Sequence, residues 1–439
     1  MTPNLTTANL TTDYEFLVSL WFQWLDQPQW QPLDRWLKAQ KKMSRDPLQA
    51  GIAMHAAMRY LHLACALEEA YKNPQEKLDI QVWDQQWSLK DIKKVPAQAL
   101  WYWIALRAAE GQQTTVAAPK KLRDAHQRHQ FFLQWRALGQ ADHNNLHHWL
   151  WQGVRPSLKP LLDERARQSR WSNESYQNFL AQQTVQPPLW LRLQHGVKPG
   201  SVVAGLRHSG IHASETDDGI SVNGGKNIIT SQAYREGDIE IQDLASQQIA
   251  AAIAVKPGQK VWDACAGAGG KTLAIAARMD NKGVVVATDL QAFKLEEVKR
   301  RAKRASFFNI RTFPWDGEVP LRLPAEVARQ TGFDWVLVDA PCSSSGTWRR
   351  NPDARWHFNP QSMDSLLQLQ QKLLHQASAS VRPAGALVYA TCSWCVVENE
   401  SQVEQFLAAH PNFALESMTL TGAPEKDADT MFVAVLRRV

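Results

Sequence analysis

The sequence predicts an α/β fold with a doubly wound sheet in its C-terminal half, and three observations carry that expectation. From about residue 238 onward, short apolar runs alternate with segments of helical period, the pattern of parallel strands joined by crossover helices. The runs Trp335-Val336-Leu337-Val338 and Ala386-Leu387-Val388-Tyr389 are apolar throughout, as strands covered on both faces are. Acids, thiols and a glycine-rich turn then follow directly after such runs, where open α/β sheets bind their ligands.

The 439 residues leave room for two or three domains. Residues 1–170 read as mainly helical, with Phe16, Leu17, Leu20, Trp21, Trp24 and Leu25 at helical spacing. Tryptophan is concentrated here, from Trp21, Trp24, Trp30 and Trp36 through Trp83, Trp87, Trp101 and Trp103 to Trp135, Trp149 and Trp151, with Trp171 just beyond. Core packing is the preferred reading over base stacking, because most of these rings lie within apolar helical patterns. His126, His129, His143, His147 and His148 have no cysteine or carboxylate partner at ligand spacing, so they read as solvated or satisfied histidines rather than a zinc site. Residues 171–237 read as a small α+β module. Pro187-Pro188 leads stiffly into a strand, and turn signals at Asp217-Asp218-Gly219 and Asn223-Gly224-Gly225 flank Ile220-Ser221-Val222. Residues 238–439 form the third region, with strands predicted over 259–263 and 284–289, helices over 272–279, 291–305 and 366–379, and the two cysteine-tipped strands.

A net charge of +6 leans towards a polyanionic partner. Five cysteines without a disulfide-framework spacing point to a reduced, cytoplasmic protein. Residues 1–13 lack a signal-peptide pattern and no apolar run approaches the roughly 20 residues of a membrane helix, so no membrane partner is expected. A monomer is expected.

The turn Asp263-Ala264-Cys265-Ala266-Gly267-Ala268-Gly269-Gly270-Lys271 joins the first strand of the third region to its first helix. Small residues admit a ligand close to the backbone, and the helix start favours a negative group. Asp289, about 20 residues on, ends the next strand, where an acid commonly holds a ribose hydroxyl pair. Asp316 reads equally as an adenine contact or as a turn aspartate before Gly317. The glycine spacing fits neither G-x-G-x-x-G nor a Walker loop. An adenosyl ligand without pyrophosphate fits better, and S-adenosylmethionine is the obvious one.

Cys342 sits in Asp339-Ala340-Pro341-Cys342-Ser343 and Cys392 in Ala390-Thr391-Cys392-Ser393, each just past a predicted buried strand. A lone cysteine would read as a buried small hydrophobe. Two thiols and Asp339 at neighbouring strand ends instead supply nucleophile, acid and releasing group. Such a set suits attack on carbon 6 of cytosine, which makes carbon 5 nucleophilic. Cys392 and Cys395 supply only half of a four-thiolate metal site. Cys65 and Cys265 read as structural.

Taken together, DACAGAGGKT from Asp263, DAPCSSSGTWRRNPDARW from Asp339 and ATCS from Ala390, with PPLWLRLQ from Pro187 and REGDIEIQDLASQ from Arg235, resemble the Sun/RsmB-like family of RNA (cytosine-5) methyltransferases. The resemblance implies a Rossmann-like methyltransferase domain with Cys392 as nucleophile, Cys342 assisting release and Asp339 at the target base. It implies that Lys271, Asp289, Asp316 and Asp339 serve S-adenosylmethionine, and that 171–237 is the family's RNA-binding module. Ribosomal RNA is the expected partner, with transfer RNA as the alternative. The chain departs from the family at the cofactor loop, which usually reads Ala-Pro-Gly-Gly-Lys, and at Lys294, where arginine is commoner. The family's helical domain is not recognisable in 1–170. Lys294, Arg349, Arg350 and Arg355, the last three beside Trp348 and Trp356, are the candidate RNA contacts. A non-catalytic RNA-assembly factor, a nucleotide-dependent oxidoreductase and a DNA cytosine methyltransferase are the rival readings. Both cysteines, the missing dinucleotide fingerprint and the Thr-Cys-Ser stretch count against them in turn.

Overall fold

The structure, a computed structural model, describes residues 14–27, 31–40, 47–111, 115–142, 145–223 and 228–439. Trp30, His143, Gly224, Gly225 and the segment 1–13 considered above lie outside them. The chain divides into two compact units. One comprises Pro3–Gln186 with Trp348–Phe358, the other Pro187–Thr347 with Asn359–Val439.

The first unit is helical. Its long helix Pro47–Lys72 packs against Ala97–Ala108, and the helices Tyr14–Leu25, Ala125–Ala141 and Leu146–Trp151 complete the core. Trp21, Trp24, Trp101, Trp103, Trp135, Trp149 and Trp151 are all buried, as core packing requires. His148 is buried and its Nδ1 lies 2.8 Å from the Gly139 carbonyl, whereas His126 and His129 are exposed. No group of three metal-ligating side chains occurs among the described residues. The helix Asn173–Gln182 belongs to this unit. The first unit therefore ends at Gln186, sixteen residues past the boundary read at 170.

The second unit holds two sheets. The strands β1 (Leu189–Leu193), β2 (His212–Thr216), β3 (Gly219–Asn223) and β4 (Ile239–Ile241) form an antiparallel sheet in the order β2-β3-β1-β4. Helix Pro199–His208 covers it through Val202, Val203 and Leu206. The larger sheet contains β5 (Lys260–Asp263), β6 (Val284–Asp289), β7 (Ile310–Pro314), β8 (Phe333–Asp339), β9 (Val381–Thr391), β10 (Phe413–Thr421) and β11 (Met431–Arg438) in the order β10-β11-β9-β8-β5-β6-β7. It is Rossmann-like. The pairings β7–β6–β5–β8–β9 are parallel, but β11 runs antiparallel between β9 and β10. That strand corrects the purely parallel expectation. The short connection from β10 to β11 has no crossover helix, so the chain can only return antiparallel.

Alternate residues of each central strand serve opposite faces. Trp262, Val286, Val336, Leu387, Tyr389 and Phe432 face one side, where helices Asp364–Ser378 and Glu400–Ala409 pack through Leu373, Leu374, Val403 and Phe406. Val261, Val285, Trp335, Leu337, Val388 and Val433 face the other, against helices Leu244–Ala252 and Gly270–Arg278. Full burial of each such side chain contributes about 1.5–3 kcal/mol, which explains why these strands read as unbroken apolar runs.

The two sheets are tied by charge. Glu240 on β4 is 1% exposed and accepts from Arg301 at 2.9 Å and from Arg304, both on helix Ala292–Arg304. Lys299 and Arg300 on the same helix are exposed and pair locally with Glu296 and Glu297. One side of this helix is therefore tied to β4, and the other presents its charges to solvent.

Candidate active site

The register of the sheet brings the site together. Asp339 on β8 lies opposite Ala390 on β9, and Asp263 on β5 lies opposite Leu337 on β8 and Ala287 on β6. The carboxyl ends of β6, β5, β8 and β9 thus form one rim. The strand order reverses between β5 and β8, and such a switch point opens a crevice. Cys342 and Cys392 follow their strands by three residues and one. Their sulfur atoms lie 3.3 Å apart. Both expected thiols and Asp339 therefore meet at one place.

The two thiols have opposite proton preferences. Cys342 is held well above an ordinary thiol, first by its hydrogen bond to Cys392 and then by burial. Cys392 is lowered, first by that same bond, with Ser344 and the Lys271 ammonium helping against burial. The pair therefore reads as a Cys342 thiol donating to a Cys392 thiolate, and a thiolate is the nucleophilic form. Ser344 Oγ lies 3.5 Å from the Cys392 sulfur, and its backbone is left-handed at φ 56°. Strain of that kind costs of order 1–3 kcal/mol and clusters at functional sites.

Several polar residues around the thiols escaped the sequence reading. Ser345, Ser393, Gln370 and Glu398, all buried, and the half-buried Ser343 form a hydrogen-bonded set behind the two loops. The repeated Cys-Ser pair at 342–343 and 392–393 was the available signal.

Lys271, the last residue of the glycine-rich turn, is buried and donates to Asp339 at 2.7 Å. Burial alone would lower its ammonium, but the Asp339 carboxylate outweighs that and leaves it raised. Gly267 and Gly269 have φ 56° and 86°, and a Cβ on Gly267 would meet open space. Asp289 accepts the Gly267 N–H at 3.0 Å and the Gln291 N–H at 2.9 Å. Asp263 is 1% exposed. It accepts from the Thr272 hydroxyl at 2.6 Å, while its Oδ1 is buried without a hydrogen-bond partner. An open left-handed turn, an orphaned carboxylate oxygen and a strand-tip acid fit an adenosyl ligand carrying an amino-acid end. Cys265 is pushed up by burial and packs beside the core. Ala264, Ala266, Ala268 and Gly270 shape the turn itself. Asp316 is exposed and caps its own turn by accepting the Glu318 N–H at 2.9 Å, as the turn reading expected.

The candidate RNA contacts fare differently. Arg349 is 2% exposed and Arg355 5%. Arg349 donates to the Val185 carbonyl at 3.0 Å and to Gln182 at 3.3 Å. Arg355 donates to the carbonyls of Gly153 at 2.6 Å and Gln183 at 3.0 Å. Trp348 and Trp356 are buried, and the Trp356 indole N–H donates to the Met58 carbonyl at 2.9 Å. All belong to the helical unit. The loop expected as a phosphate and base platform is thus buried, with Arg349 and Arg355 turned towards backbone carbonyls and Gln182. Arg350 is half-buried in the same segment. Lys294 lies 3.6 Å from Asp289.

Comparison with known proteins agrees with this geometry. Residues 250–436 match the family model described as 16S rRNA methyltransferase RsmB/F. The ribosomal RNA small subunit methyltransferase B of Xanthomonas campestris is 35% identical over 235 residues, half of each chain. The chain spans about half the length of the curated relatives it matches. The crystal structure of PH0851 superposes over all of both chains with a TM-score of 0.66 at 20% identity. That of NSun6 from Pyrococcus horikoshii with SFG covers 64% of this chain and 98% of its own, with a TM-score of 0.53 at 16% identity. Residues 250–436 are thus similar to the RsmB/F methyltransferase family, a match that takes in the larger sheet and the thiol pair.

Proposed function

We propose that this chain is an S-adenosylmethionine-dependent RNA (cytosine-5) methyltransferase acting on ribosomal RNA of the small subunit. The observation that carries the reading is the thiol pair at neighbouring strand ends, 3.3 Å between sulfurs, with Cys342 raised and Cys392 lowered by the bond between them. The names of the curated relatives support the RNA class.

Asp263, the turn to Lys271, and Asp289 would hold S-adenosylmethionine, which supplies an electrophilic methyl group. Asp339 would accept from the exocyclic amine of a cytosine extruded from its stack. The Cys392 thiolate would bond to ring carbon 6. Carbon 5 would then take the methyl group as the donor's carbon–sulfur bond breaks. Once Cys392 is bonded to carbon, Cys342 no longer faces a thiolate, so its proton passes to water. The resulting Cys342 thiolate would take the proton from carbon 5 while the carbon 6–sulfur bond breaks. The starting thiol–thiolate pair is thereby restored, with one proton released per methyl transferred.

The test is transfer from labelled S-adenosylmethionine to ribosomal and transfer RNA lacking native modification, with 5-methylcytosine and protein–RNA adducts both measured. Product with wild type, none with Cys392→Ala and a persistent adduct with Cys342→Ala are expected. Product that survives in Cys392→Ala would sink the assignment of the nucleophile.

A further inference from the structure

We propose that Glu398 is the positioning residue of the thiol pair, a buried anion that clamps both cysteine loops and keeps the proton on Cys342. The inference rests on the functional reading above and concerns a residue that touches neither substrate nor cofactor.

Glu398 ends the short turn Val396–Glu398 and is fully buried. Its Oε1 accepts from the Ser343 N–H at 2.7 Å and from Gln370 Nε2 at 3.1 Å. Its Oε2 accepts from the Ser343 and Ser393 hydroxyls, each at 2.5 Å. Ser343 directly follows Cys342, and Ser393 directly follows Cys392. One carboxylate thus grips the residue after each thiol. The Tyr389 hydroxyl fixes the same turn by donating to the Glu398 carbonyl at 2.7 Å. Gln370 adds a second brace, because its Nε2 also donates to the Pro341 carbonyl at 3.0 Å.

Among the described residues Glu398 forms no ion pair. A buried carboxylate without a cation is costly unless its oxygens are fully satisfied, and four donors here meet that need. Neutral glutamine could span the same gap, so bridging alone does not call for a charge. The charge does act on the thiols: Cys342 is raised by its bond to Cys392, by burial and by the Glu398 carboxylate, while Cys392 is held down by Cys342, Ser344 and the Lys271 ammonium. The anion on the Cys342 side and the Lys271 cation on the Cys392 side bias the shared proton in the same direction.

The experiment is site-resolved alkylation of the full-length protein with iodoacetamide at neutral pH. Initial rates at Cys392 and Cys342 are read by mass spectrometry, and thermal melts and S-adenosylmethionine titrations are run alongside. Wild type is expected to react preferentially at Cys392. In Glu398→Gln that preference should fall by roughly tenfold, the effect of one pKa unit between the two thiols, with cofactor affinity retained. A purely structural role would lower the melting temperature and leave the ratio alone. Ser343→Ala, which keeps the charge and the backbone bond, should shift the ratio the same way by less, and it carries the test if Glu398→Gln does not fold. An unchanged ratio in a folded Glu398→Gln protein, or in Ser343→Ala should that variant carry the test, overturns the proposal. A ratio that falls in a protein showing no methyl transfer on any RNA would sustain the clamp and sink the functional reading.

Discussion

The Cys342 and Cys392 sulfurs stand 3.3 Å apart because their strands are parallel neighbours with Asp339 opposite Ala390. Fifty residues of chain separate the two thiols, yet the register leaves them only the width of one strand pair to cross. The contact sets the proton inventory of the site, and the first prediction comes from it.

Cys342→Ala removes the bond that contributes most to lowering Cys392. The Cys392 thiol should then titrate at higher pH, so less of it is thiolate at neutrality. The pH midpoint of iodoacetamide reaction at Cys392 should rise. A midpoint that stays in place would mean that Cys342 does not donate to Cys392.

Asp263 is pushed up to about 7 by burial, with the Thr272 hydroxyl opposing. Its folded value lies above the unfolded value of about 3.9, so the folded protein binds the extra proton. That stabilisation is complete below about pH 4 and is lost as pH rises through 7. Asp263→Asn should flatten this part of the stability profile, removing roughly 2–4 kcal/mol of pH dependence. Urea unfolding of the cofactor-free protein across pH 4 to 8 measures it.

Gly346→Ala should be severe. Gly346 donates its N–H to the Cys392 carbonyl at 2.9 Å. A Cβ there would stand 1.8 Å from the Thr430 carbonyl oxygen and 3.0 Å from that of Cys392. Neither backbone can yield without moving a thiol loop, so a loss above about 3 kcal/mol is expected. Chemical denaturation reads the stability, and the alkylation ratio reads the thiol geometry.

Arg355→Ala tests the reassignment of the arginine loop. It strands two buried carbonyls, of Gly153 and Gln183, and should destabilise the helical unit by about 2–4 kcal/mol. The salt dependence of RNA binding by the folded variant should match wild type. A shallower slope, by about one phosphate contact, would return Arg355 to the RNA interface.

The sequence alone determined the larger architecture of residues 238–439 and the identity of the chemical groups. Trp335–Val338 and Ala386–Tyr389 read as strands because both faces of each are covered by helices, which forces every position to be apolar. The glycine-rich turn, Asp289 and the two thiols were legible for a related reason: residues at strand ends take their neighbourhood from the strand order, which short connections restrict.

The tertiary structure decided what local patterns cannot encode. Strand β11 is as apolar as its parallel neighbours, so only its pairing reveals that it runs the other way. Arg349, Arg355, Trp348 and Trp356 have the composition of an RNA platform. Whether they face solvent or a core depends on which residues distant in sequence fold around them, here Gly153, Gln182, Gln183, Val185 and Met58. Nothing local in the sequence marks Glu398, because the groups it binds lie on two loops fifty residues apart that close over it. Local sequence carries the covering of a strand and the chemistry of its tip, but a side chain's burial is a property of everything packed against it.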